Sequence, residues 1–569
     1  MTALQVEPPL LEAGASPGRA VPPWPWATCL ALSSIVGWAA VEVLRITWQK
    51  PRLTLYGDQA LIALATRRAS QFDQLVGPYS REGFHHPGPA LFYVLAPFLR
   101  LEGGGDRGLF IGAVCINASA LAAAVVVVGR RVGPIAAMWT AVCITVLYGC
   151  LGIGTLREPW NPYLVVAPTV LLVVLWATAA TETGQGILTP WTLVVASFVA
   201  QTDVGTVPVV AVLAVALIGI RVRVRRQQEA ARRPHKGARL GWAILLLIWI
   251  PPLVESVQDH PNNVSLLWSY LSSTRSQAGP IVSGRSALTA LGVIPFGNHD
   301  YVTVLHRNTP ELWATGTIFV VVAVAAVKLA APRQSGVVRA LVLASSGVAT
   351  IGTVSLMTAP PPIYPYLSEW MAVAPLTLLI GFGLAAIGRV GGGAHLGDFH
   401  RPTAWRLAAF VVTPRRLAAV LAAGVLIGGI FAVVSDLRTV PIQDTTGSGP
   451  WPTTEAGSAP GKRTVVSDTA SLDREALATL PTGTHRIQLV IGAPDLWPYA
   501  AGMVLALDQS GVNAAVSPPS WDLYFGSARS APGDPILYLE PRFEAPTGPL
   551  RSIAVTSTAV LYYQPGISG

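Results

Sequence analysis

Apolar residues in this chain gather into blocks of about 20, the length of helix that crosses roughly 30 Å of hydrocarbon. Half of the residues, 51%, are hydrophobic and only 12% are charged, where a soluble domain is roughly a quarter charged. The class is therefore a polytopic α-helical membrane protein rather than a barrel, whose strands would show as segments of about ten alternating residues.

Eleven spans are expected, at 27–47, 108–129, 132–152, 162–180, 187–202, 204–221, 239–257, 312–332, 338–358, 369–388 and 416–436. The run 187–221 is apolar throughout, but one helix of that length would measure about 52 Å. Gln201-Thr202-Asp203 and Gly205 interrupt it, so two spans with a tight turn fit better. Residues 88–101 (GPALFYVLAPFLRL) are apolar but too short to span and predict a juxtamembrane or re-entrant helix.

Positive charge fixes the sides. The loop 221–239 carries eight Lys/Arg, 328–339 three and 389–416 five, and all three are cytoplasmic if the amino terminus is inside. Lys50 and Arg52 after the first span, against Arg19 before it, favour the opposite orientation; the later loops are denser in charge and decide. Residues 1–26 are Pro-rich, carry two Glu against one Arg, and read as a disordered cytoplasmic tail ahead of an uncleaved first span. The basic excess thus reports topology and not nucleic acid. Cys29, Cys115, Cys143 and Cys150 all fall inside apolar segments, which predicts neither disulfide nor zinc.

This topology divides the chain into a transmembrane catalytic domain, 27–436, with a large outer loop at 48–107; a Pro/Gly/Ser/Thr-rich linker, 437–461; and an extracytoplasmic α/β domain, 462–569. In the last, strands are expected at 463–467, 486–491, 514–517, 535–540 and 559–564, with a helix at 497–509. Trp497, Tyr499, Trp521, Tyr524 and Phe525 suit core packing better than a sugar-stacking platform.

Chemistry is expected on the outer face, first in the loop after span one. Asp58 of Tyr56-Gly57-Asp58-Gln59 lies close to the membrane surface. It could serve as the N-cap of a helix over 59–75, as a base, or as both. His85-His86-Pro87-Gly88-Pro89 opens the short apolar helix, Pro being favourable in a first turn. Adjacent histidines point different ways and do not suggest joint metal binding, but with Arg81 they could meet a phosphate at headgroup level. Arg157-Glu158-Pro159-Trp160-Asn161-Pro162 sits at the outer end of span three. Asp203 lies in the turn between spans five and six, as a cap or as a functional carboxylate. Glu369, beside Tyr366 and Trp370, reads as part of an interfacial anchor. The loop Phe296-Gly297-Asn298-His299-Asp300-Tyr301 is polar without a specific motif.

A first span, an acid soon after it and a His-Pro opening to a short juxtamembrane helix resemble GT-C type glycosyltransferases that use polyprenyl-phosphate sugars. These include protein O-mannosyltransferases, lipid A aminoarabinose transferases and mycobacterial arabinofuranosyltransferases. The resemblance covers roughly residues 27–260 and the overall plan of many spans with an outer carboxy-terminal domain. It implies a plasma (inner) membrane enzyme that moves a sugar, with inversion, from a polyprenyl-phosphate donor to a cell-envelope glycan or lipid acceptor. The implied base maps onto Asp58 and the His-Pro motif onto His86-Pro87, with Arg81, His85, His86, Arg157, Glu158, Asn161 and Asp203 as substrate contacts. Many members carry two adjacent acids where this chain has Asp58-Gln59, which weakens a metal-bridging mechanism. No cofactor is read from the residues, and a divalent cation stays open. The alternative is a transporter or flippase of a lipid-linked sugar, which would favour internal repeats and a midplane site; neither is visible in the sequence.

Overall fold

The computed structural model describes residues 25–49, 53–182, 186–227, 236–293, 310–329, 336–391, 414–438, 462–526, 528, 530–542 and 550–566. Residues 1–24 of the expected tail, 439–461 of the linker and the 296–301 motif lie outside the described residues, as does much of the three basic loops.

The protein is a polytopic helical membrane protein with a carboxy-terminal α/β unit. Among the described residues, nine helices are long and apolar enough to cross a membrane. They coincide with nine of the eleven expected spans. The other two are helical as well: Leu188–Thr202 has 15 residues, and Pro414–Arg438 has a shorter apolar stretch at Arg416–Phe431. The run 187–221 does break, because Asp203 is extended and a 3₁₀ turn, Val204–Thr206, separates the two helices. Helix Val166–Ala180 is buried along nearly its whole length and forms the centre of the bundle. Lys236–Gln258 has only three buried residues and presents its apolar side chains outward, as lipid contact requires.

Helix α1 (Pro25–Gln49) leads into the large loop expected at 48–107, which folds into α2 (Gly57–Ser70), a hairpin of β1 (Tyr79–Ser80) and β2 (Phe84–His85), and α3 (Ala90–Leu101). The short apolar segment is thus a 12-residue helix packed against α2 and Arg107–Arg131.

Five strands form the carboxy-terminal sheet: β3 (Arg486–Ile491), β4 (Asn513–Ser517), β5 (Ile536–Pro541), β6 (Arg551–Val555) and β7 (Ala559–Gln564), in the order β4-β3-β5-β7-β6. The first three are parallel, joined through helix Trp497–Gln509, and β7 and β6 add antiparallel. Two expectations fail here. Residues 463–467, expected as a strand, begin the helix Lys462–Thr479. Val465, Thr469, Leu472 and Ala476 recur at helical spacing and are all buried, a period that a five-residue β-branched window is too short to reveal. Strand β6 was not expected, since as an exposed edge strand it buries only Ala554 and shows no apolar alternation.

Helix Trp497–Gln509 docks on α2. Arg67 Nε donates to Asp508 Oδ2 at 2.6 Å, and Gln509 Nε2 donates to Asp106 Oδ1 at 2.9 Å. The approach is close: a Cβ on Gly502 would lie 2.5 Å from Thr469 Cγ2 and 2.9 Å from the Leu55 carbonyl oxygen. Gly502→Val is therefore expected to destabilise this seam by about 1–3 kcal/mol, visible as a lowered thermal midpoint of the purified chain.

Candidate active site

The site is built around α2. Its N-cap is Tyr56, in extended conformation with no side-chain cap, and the helix starts at Gly57, whose φ of +54° favours glycine. Asp58 consequently does not cap. It sits in the first turn, where the helix dipole favours a carboxylate. Both of its oxygens accept hydrogen bonds: Oδ1 from the Tyr79 hydroxyl of β1, and Oδ2 from Trp160 Nε1 at 2.9 Å. Burial raises its pKa above the ordinary carboxylate value, and the bonds from Tyr79 and Trp160 oppose that rise.

Asp58 opens on a cavity of about 610 Å³. Six of the eight residues expected in a site line it together: Asp58, Arg81, His85, His86, Asn161 and Asp203. Arg157 and Glu158 are not among the lining residues. Arg157 is buried against Glu42 of α1 at 3.6 Å, and Glu158 Oε2 accepts from Gln59 Nε2 at 2.6 Å.

The histidines are backbone-anchored. His85 Nδ1 meets the Gly77 carbonyl at 3.2 Å and His86 Nδ1 the Thr202 carbonyl at 2.8 Å. Burial pulls both down to about 4, so at neutral pH they are uncharged hydrogen-bonding groups and not cations. Asn263 ties them further, accepting from the His85 N–H at 2.7 Å and donating to its carbonyl at 3.0 Å. Gly88 is needed where it stands, because a Cβ there would lie 2.4 Å from Gln201 Oε1, the acceptor for the first N–H of α3.

Asp203 caps its own turn through the Gly205 N–H, at 2.8 Å, while also lining the cavity. Burial pushes its pKa up to about 6. Asn161 Nδ2 donates to the Thr202 carbonyl at 3.3 Å, joining this turn to the one that carries Trp160. Glu369 and Trp370, expected as interfacial anchors, are both fully buried beside Asp203: the 3₁₀ segment Glu369–Ala372 turns them inward.

Three arginines line the cavity. Arg68 Nε is held by Gln74 Oε1 at 2.9 Å, and its Nη1 donates to the Phe525 carbonyl at 3.2 Å. Arg81 pairs with Glu82 at 2.9 Å, donates to the Pro362 carbonyl at 3.0 Å and lies over Tyr364. Arg275 stacks 3.1 Å above Tyr270, and its Nη1 is sealed from solvent without a hydrogen-bond partner. Sequence reasoning missed Arg68 and Arg275, which stand in no motif, and Tyr79; it named Trp160 and Tyr524 without the roles that their long-range contacts give them. Tyr524 of the carboxy-terminal unit packs on Tyr79 at 4.4 Å between ring centres. Of the tail aromatics expected to pack in the core, Tyr499 and Phe525 do so, whereas Tyr524 reaches the cavity. Among the described residues, no three His, Cys, Asp or Glu side chains come together as a metal would need.

No protein-family model matches the chain, and no curated protein matches it in sequence. Among solved structures it is similar to ArnT from Cupriavidus metallidurans bound to undecaprenyl phosphate, with a TM-score of 0.51 and 13% identity over 95% of this chain and 98% of that one. The same protein in the apo state gives a TM-score of 0.53 and 12% identity over the same shares. At this identity the likeness is one of fold.

The Tyr79 bond favours the charged form of Asp58. Tyr79→Phe is accordingly expected to raise the Asp58 pKa further, read from the ¹³Cγ shift of Asp58 as pH is varied.

Proposed function

We propose that this protein is a membrane glycosyltransferase that takes a sugar from a polyprenyl-phosphate donor at the outer membrane surface, with Asp58 as general base. One observation carries the reading: a fold like that of ArnT, a protein solved with undecaprenyl phosphate, encloses a single cavity holding both a clasped carboxylate and arginines. Acceptors of the cell-envelope glycan or lipid class suit an outward-facing site in the plasma membrane.

In the proposed reaction the acceptor hydroxyl oxygen attacks the anomeric carbon of the sugar. The bond from that carbon to the donor phosphate breaks, its electron pair leaves with the polyprenyl phosphate, and the hydroxyl proton passes to Asp58. A single displacement of this kind inverts the anomeric centre. Asp58 suits the base role because burial strengthens its basicity while Tyr79 and Trp160 fix its orientation. Arg275 suits the leaving phosphate, since its Nη1 has no hydrogen-bond partner, whereas Arg68 and Arg81 are already bound to protein oxygens. His85 and His86, being neutral, would contribute hydrogen bonds and not charge. Arg157 and Glu158 move from substrate contact to support of the cavity wall.

Asp58→Asn is expected to lower sugar transfer from synthetic polyprenyl-phosphate donors by about 10²–10⁴-fold in detergent or liposomes. Full activity of the folded variant would remove Asp58 from the mechanism. Because Asp58 must be ionised, and burial raises its pKa, activity should fall as pH drops through a value above about 3.9, in a rate profile measured between pH 4 and 8. Arg275→Ala should raise the donor KM or Kd at least tenfold, about 1.4 kcal/mol; unchanged donor binding would exclude it as the phosphate contact.

A further inference from the structure

We propose that Gln59 and Glu158 are positioning residues that hold Asp58 in register with Trp160, which makes the amide at position 59 a requirement of the site; the inference rests on the reading of Asp58 as the base.

Asp58 and Gln59 are consecutive on the first turn of α2, and their side chains reach the same short segment. Asp58 Oδ2 accepts from Trp160 Nε1 at 2.9 Å, and two residues earlier Glu158 Oε2 accepts from Gln59 Nε2 at 2.6 Å. Two bonds between two rigid segments remove the freedom to slide that one bond would leave. The second bond lies in the interior: Gln59 is 0% exposed and Glu158 4%. Adjoining it, Arg157 (1% exposed) pairs with Glu42 (0%) at 3.6 Å, and Arg45 pairs with the same Glu42 at 3.5 Å. The segment 157–160 is therefore fixed to α1 on one side and to α2 on the other.

This arrangement accounts for the amide beside Asp58. Gln59 is not a lining residue of the cavity, so an acid there would face Glu158 and not the substrate. Two carboxylates at hydrogen-bond distance in a low-dielectric interior repel or must share a proton. Repulsion pushes α2 away from Trp160, and a shared proton replaces the charge-assisted bond with one that holds only while one of the two acids stays protonated.

The test is a charge exchange. In the full-length protein in detergent, Gln59→Glu is expected to lower kcat by about 100-fold, the cost of a misplacement near 1 Å, with donor KM changed less than threefold. Glu158→Gln, which keeps an acceptor oxygen for Gln59, should fall between parent and Gln59→Glu. The double variant Gln59→Glu with Glu158→Gln restores an amide–carboxylate bond in reverse and should regain at least tenfold in kcat over Gln59→Glu. A Gln59→Glu variant with parental kcat, or a double variant no better than it, overturns the proposal. Thermal midpoints of the four proteins are measured alongside and should show the same loss and recovery. If Asp58→Asn retains full transfer, the base reading fails, and the exchange is judged on the midpoints alone: recovery there upholds the Gln59–Glu158 lock, and no recovery overturns it.

Discussion

The Asp58 carboxylate accepts hydrogen bonds from two groups far apart in the chain, the Tyr79 hydroxyl of the β1–β2 hairpin and the Trp160 indole of the segment before Asn161–Leu164. That clasp imposes conditions on its surroundings. Helix α2 must present its first turn to both donors, the hairpin must fold back over it, and residues 157–160 must be held at a fixed height on the bundle. A half-buried carboxylate with both oxygens bonded keeps a defined orientation, and burial keeps it more basic than one in water.

Much of the remaining polar architecture serves those conditions. His85 and His86 are tied by backbone contacts to Gly77, Thr202 and Asn263, so the hairpin that carries Tyr79 is anchored to the helices around it. Asn161 links the Trp160 segment to the Asp203 turn. Beneath them, Glu42, Arg45 and Arg157 place charges inside the bundle. Removing one partner from such a group is expensive, since an uncompensated buried charge remains. Glu42 and Arg45 are the two charged residues of α1, and their place in an apolar span is explained by the segment 157–160 that Glu42 holds through Arg157.

The carboxy-terminal unit takes part in the site directly. Tyr524 packs against the same Tyr79 ring that donates to Asp58, and Arg68 of α2 donates to the Phe525 carbonyl. Helix Trp497–Gln509 packs on α2, and its Gly502 comes close to the Leu55 carbonyl just ahead of that helix. The unit thus covers one wall of the cavity, and the outer face of α2 is shared between membrane part and tail.

Hydropathy and residue pattern alone determined the membrane class, the helical blocks, the break at Asp203, the short apolar helix at Ala90–Leu101 and most of the tail's strands. These are local or additive properties, because a 20-residue apolar block must become a helix wherever it lies in a bilayer. The same reading singled out Asp58 and five residues that share its cavity, on the strength of polar groups placed next to apolar spans. It could not separate Asn161, which lines the cavity, from its neighbours Arg157 and Glu158, which do not line it, nor find Arg275 or Tyr79. It took Lys462–Thr479 to start as a strand and Glu369 to face the interface. Only the tertiary structure decided these, because which side of a wall a side chain faces, and which distant donor meets it, depends on how the helices pack and on no pattern within a single segment.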